Sequence, residues 1–173
     1  ETLRNLAGLL LAGGSLAALT LGRYPDFTRS LAELLALRGK KVVLVHFVFD
    51  AVVRPEDKPG LWQYLNAEID EIPLRSMGSY DTVPSGGTTR YGSEFLDSPR
   101  FALLLATLKE LYDLILISSS ALAHQAEGRA LLRIVDTSIV AVQQETKEDL
   151  AVYCDWAETQ GEKRTAFVYL SET

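Results

Sequence analysis

The stretch Val42 to Val48, VVLVHFV, does most to restrict the fold: an apolar run of strand length, rich in β-branched residues, is typical of a strand covered on both faces, as in a parallel sheet. Before it, Pro25 to Leu37 repeats apolar residues at helical spacing through Phe27, Leu31, Leu34 and Leu35, and Arg38-Gly39 closes the helix as a basic last turn and a glycine C-cap. Upstream, Thr2 to Ala12 reads as a Leu-rich helix stopped by Gly13-Gly14, and Ser15 to Leu21 as a short buried strand. The alternation returns with helix Pro99 to Tyr112, strand Leu114 to Ile117, helix Gln125 to Ile134, strand Ser138 to Val142, helix Lys147 to Thr159 and closing strand Thr165 to Leu170. Strands alternating with helices of this length require right-handed crossovers, so the expected fold is α/β: a doubly wound, mostly parallel sheet flanked by helices. Asp50 to Ser98 is less regular, with a short helix near Leu61 to Asn66 and a turn at Pro84-Ser85-Gly86-Gly87.

The chain has 173 residues, enough for one core, and no linker or repeat divides it, so a single domain over 1–173 is expected. A net charge of −6 leaves no surplus of Lys and Arg to neutralise phosphates, which argues against nucleic acid or an anionic membrane surface as the main partner. One cysteine, Cys154, rules out an internal disulfide and suits a reducing compartment; with two scattered histidines it makes no zinc site, so it is read as a packed or idle thiol. No stretch reaches the roughly 18 to 20 apolar residues of a membrane span. The first residue is Glu1 rather than Met, so a fragment of a longer chain is expected.

Ligands of open α/β sheets bind beyond the carboxyl ends of the strands, which directs attention to three turns. The first, Gly22-Arg23-Tyr24-Pro25-Asp26-Phe27-Thr28, lacks the glycines, lysine and hydroxyl of a phosphate cradle. Pro25 has no N–H to offer, and Asp26 is expected to cap the following helix with its own carboxylate, closing the site from within. The second, His46-Phe47-Val48-Phe49-Asp50, holds one acid, Asp50. His46 is read as a hydrogen-bonded core residue, with general-base action as the alternative. The third, Ser118-Ser119-Ser120-Ala121, offers three serines but no Gly-x-Ser-x-Gly elbow, and His124 lies on the same loop.

Several segments together resemble the bacterial tyrosine kinases that control capsule and exopolysaccharide export, relatives of the ParA- and MinD-type P-loop ATPases. LAELLALRGKKVVLV, from Leu31 to Val45, is similar to the family's first helix after the P-loop and its second strand. Arg54-Pro55 and Pro59 to Leu65 resemble its RP and PGLSDYL elements, and VPSGGTTRYGSEFLDSPRF, from Val83 to Phe101, follows its pattern from LPAG to SPRF. Tyr112 to Ile117 is similar to YDLVII, and Arg133-Ile134-Val135-Asp136 to RLVD.

The resemblance implies a P-loop NTPase-like three-layer sandwich and places the departures on the nucleotide site. Tyr24, Pro25 and Asp26 stand in a shortened Walker A loop, His46 and Val48 where two aspartates would sit, Ser118 for the Walker B aspartate, with Ser120 and Ala121 for two prolines, and Ser171 for an adenine-holding asparagine. Tyr153 and Tyr169 are isolated, so the C-terminal tyrosine cluster is missing too. Glu1 and Arg4 resemble the start of the ExxRxxR oligomerisation helix, whose second arginine is Ala7 here. Neither a catalytic residue nor a cofactor or metal is therefore expected. The expected protein is a pseudokinase-like domain on the cytoplasmic side of the bacterial inner membrane, soluble itself and the C-terminal part of a longer membrane protein. It would act by docking in an exopolysaccharide or lipopolysaccharide chain-length and export system, with the polysaccharide export or polymerisation machinery as partner and homo-oligomers allowed. One alternative is a weak ATPase or tyrosine kinase that recruits Asp50, His46 or Glu127; another is a module for a lipid-linked sugar or a signalling nucleotide.

Overall fold

The computed structural model describes residues 1–19, 24–120, 126–142, 151, 154–155, 158 and 164–169. In chain order these form α1 (Thr2–Ala12), β1 (Leu16–Leu19), α2 (Pro25–Leu37), β2 (Val42–Phe47), a 3-10 turn (Pro55–Asp57), α3 (Leu61–Leu65), β3 (Arg75–Ser76), β4 (Asp81–Val83), α4 (Gly92–Leu96), α5 (Pro99–Leu111), β5 (Leu114–Ser119), α6 (Ala126–Ile134), β6 (Thr137–Val142) and β7 (Arg164–Tyr169). The seven strands lie in the order β3-β4-β2-β5-β1-β6-β7. Every pairing is parallel except that of the two-residue edge strand β3 with β4. The doubly wound, mostly parallel sheet is thus present. Of the expected helix Lys147 to Thr159, Ala151, Cys154, Asp155 and Glu158 are described, and all four are helical. Cys154 is exposed, so the thiol is not packed.

Apolar residues on the two faces of β2 and β5 build two cores. Val43, Val45, Phe47, Ile115 and Ile117 pack with α3, α5 and α6, whereas Val42, Leu44, Leu114 and Leu116 pack with α1 and α2. That two-sided burial is why the sequence at β2 shows no polar alternation.

The motifs that carried the family resemblance prove to be fasteners. Ser98 caps α5 by accepting from the Phe101 N–H at 3.2 Å, Pro99 fills its first position, and Arg100 donates to the carbonyls of Tyr64 and Ile69 while stacking on the Tyr64 ring. Gln63 accepts from the Gly60 N–H at 2.7 Å and donates to the Gly86 carbonyl at 2.8 Å, while the N–H groups of Leu61 and Trp62 donate to the carbonyls of Pro84 and Ser85. At the amino ends of the strands, Asp113 accepts from the Lys41 N–H and Asp136 from the Leu16 N–H.

Two expectations need correction here. Ser118 and Ser119 are the last residues of β5 rather than a turn, because the strand runs two residues past Ile117 to stay paired with His46 and Phe47. The middle of the chain is also more structured than its pattern suggests, since β3, β4 and α4 are too short for a period to register.

Candidate functional site

The carboxyl ends of β1, β2 and β5 meet at one level. His46 pairs with Ser118, and Ser118 with Leu19, which in turn pairs with Ile139 of β6. This row therefore runs histidine, serine, leucine, isoleucine across four strands and carries no carboxylate. Ser118 is buried, so its hydroxyl belongs to the sheet rather than to a ligand surface.

Ahead of α2, Tyr24 is the N-cap, Pro25 the first helical residue and Asp26 the second. Asp26 does not cap the helix. Its side chain is 94% exposed and lies 3.7 Å from Arg29, and the first turn is closed instead by Thr28, whose N–H and hydroxyl both donate to the Tyr24 carbonyl. The Asp26 carboxylate still lies in the first turn, where it offsets the positive end of the helix dipole and repels a second anion. The Gly22-Arg23 part of this loop, together with Ala121, His124, Tyr153 and Ser171, lies outside the described residues, as does the side chain of Tyr169.

The remaining candidates separate into two concavities. His46, Val48 and Pro25 line a cleft of about 400 Å³ beside α2 and the β2–β4 edge. His46 is half-buried there, not a core residue. Burial pushes its imidazole below the ordinary range, with Asp57 opposing the shift and Arg29 adding to it.

Asp50 and Ser120 line a larger cavity of about 750 Å³ on the other side, with Glu127 from α6 and the loop Thr88 to Arg90. Ser120 donates its hydroxyl to Asp50 at 2.8 Å. Burial and the Asp50 charge raise the Glu127 carboxyl to about 7, opposed by a hydrogen bond with Ser119. Gly92 makes room for it, since a Cβ there would meet Glu127 Oε2. Glu127 entered the sequence reading only as a substitute acid; it meets Asp50 across a cavity because α6 faces the segment after β2, and no motif spacing announces it. Among the described residues no group of three or more His, Cys, Asp or Glu could hold a metal ion.

Glu1, the N-cap of α1, and Arg4 within it are exposed, whereas Ala7 is fully buried against α2, so the position of the missing second arginine faces the core.

Sheet order and crevice together define a fold of the P-loop NTPase-like class, as found in bacterial tyrosine-kinase domains. The chain is similar over 99% of its length to the kinase domain of Escherichia coli tyrosine kinase ETK, with a TM-score of 0.79 across 76% of that chain at 16% identity. Over 98% of its length it is similar to the VpsO kinase domain, with a TM-score of 0.77 across 94% of that chain at 18% identity. In sequence, 83% of the chain matches the candidate tyrosine-protein kinase EpsB of Ralstonia solanacearum, at 30% identity over 165 residues. It spans about one fifth of that relative, 20% of its length. No protein-family model matches. The likeness to bacterial tyrosine kinases expected from the sequence is thereby borne out. Among the described residues no helix is long and apolar enough to cross a membrane.

Proposed function

We propose that this domain is a catalytically silent, kinase-like module of an exopolysaccharide or lipopolysaccharide chain-length and export system at the cytoplasmic face of a bacterial inner membrane. It acts by docking to the export or polymerisation machinery, and the exposed Glu1–Arg4 pair of α1 is available to contacts between copies. One observation carries this reading: the strand-end row through His46 and Ser118 has no carboxylate where a magnesium–triphosphate group would need one. The described donor set therefore does not fit that group. Pro25 lacks an N–H, the first turn of α2 already holds the Asp26 charge, and the nearby acids Asp50 and Glu127 line the separate, larger cavity.

Thermal unfolding with and without magnesium and ATP tests the proposal. The expected result is an unchanged midpoint; a magnesium-dependent rise would overturn it, because any ligand of the native state stabilises by mass action. A second reading, weak ATPase or tyrosine-kinase activity, is favoured by the Asp50–Glu127 pair in a shared cavity. Labelled ATP transferred or hydrolysed by the wild type and not by Asp50→Ala would establish it. Equal, background-level signals are the outcome expected here.

A further inference from the structure

We infer that the cleft beside α2 is a docking groove for an extended, acidic segment of a partner protein, which inserts an apolar side chain between Val52 and Met77 and sets a carboxylate against Arg29 and Arg54. This rests on the docking reading above and names the chemistry of its partner.

Three observations carry it. First, the mouth is apolar: Val52 is 93% exposed and Met77 49% exposed, although both are large apolar residues in a folded domain. They flank the cleft, whose floor includes Leu44, Tyr80 and Pro84. An apolar centre with a charged rim is the anatomy of a recognition site, and a volume of about 400 Å³ admits a few side chains rather than a helix.

Second, the rim reverses the charge of the molecule. In a chain of net charge −6, three arginines, Arg29, Arg54 and Arg75, line this cleft against two acids, Glu56 and Asp57. Arg75 is held by the carbonyls of Glu56 and Pro59, which fixes its guanidinium beside the cleft. Arg54 meets Asp57 at 3.2 Å and Arg29 meets Asp26 at 3.7 Å, but both arginine side chains are more than half exposed. The Arg29–Asp26 pair, exposed on both sides, contributes about 0 to 1 kcal/mol, so an incoming carboxylate can exchange into it, whereas Arg54 grips the partly buried Asp57 through two N–H groups and meets a new carboxylate with its remaining donors.

Third, Val52 sits in the segment between β2 and the 3-10 turn, and neither core cluster includes it. Its exposure serves no packing in the domain itself.

The test follows backbone amide shifts of the labelled domain during titration with the blocked peptide Glu-Leu-Glu-Leu-Glu and with its lysine counterpart. The acidic peptide is expected to shift Val52, Arg54 and Met77, and Val52→Glu or Arg54→Glu to weaken it about tenfold each, as for central anchors of an interface. Both positions are exposed, so each variant keeps a dispersed spectrum. Equal binding by the lysine peptide, shifts elsewhere, none at about 1 mM peptide, or concentration-dependent shifts of these amides without peptide, the mark of a second copy as occupant, would each overturn the groove. Magnesium and ATP added to the same sample separate the two proposals. Shifts at the turn before Phe27 refute the reading that the site does not fit a magnesium–triphosphate group and leave the groove standing.

Discussion

Replacing Gly86 by alanine is expected to destabilise the domain by about 3 kcal/mol, a sum of left-handed backbone strain and overpacking. Gly86 has φ +74°, and a Cβ on it would lie 2.2 Å from Gln63 Oε1 and 2.7 Å from the Gly60 Cα. The clash falls on the side chain that joins the Gly60 and Gly86 turns, so relief requires giving up two buried hydrogen bonds. Gly78 is the control: its φ is +91°, but nothing lies within 4 Å of its added Cβ. Gly78→Ala therefore carries the backbone cost alone, about 1 kcal/mol. Urea unfolding of the two variants checks the argument, and equal losses would show that the turn-to-turn contact contributes nothing.

The second large effect is one of pH. Glu127 has its carboxyl raised to about 7 in the folded protein, from an ordinary value of 4.5. Below the ordinary value both states are protonated and the residue is neutral to stability. As pH rises toward 7 the unfolded chain ionises first, so the folded state loses ground, and the full penalty is present above 7. Because Glu127 is only partly buried, solvent screening reduces the penalty to about 2 kcal/mol. Glu127→Gln is accordingly expected to stabilise the domain by about that amount at pH 8 and by nothing near pH 4. Asp50→Asn should produce part of the same gain, since the Asp50 charge is the second cause of the shift. A Glu127→Gln gain independent of pH would contradict the account.

How much of this was legible in the sequence varied with how local the determining physics is. The bounds of α2 were readable because Pro25 starts it and Arg38-Gly39 stops it, and β2 because both of its faces are buried. The edge pair β3 and β4, five residues together, lies below the length at which alternation can be seen. In the site, the absence of an acid at Ser118 and His46 could be read by aligning strands. The true neighbours of Asp50 could not, because the Asp50–Ser120 bond spans 70 residues and Glu127 reaches the same cavity from α6. The cap assigned to Asp26 failed for a local reason: Pro25 takes the first helical position, which pushes the carboxylate into the turn itself, where it points to solvent.

The central place of β1 also governs the order of assembly. It pairs with residues 115–118 on one side and 137–139 on the other, and β5 in turn bridges it to β2. A chain emerging from the ribosome therefore has β1 unpaired until its partner β5, which begins at Leu114, has been made. Such long loop closures slow folding, so the hydrophobic strand beginning at Leu16 is the segment a holdase chaperone would be expected to shield during synthesis.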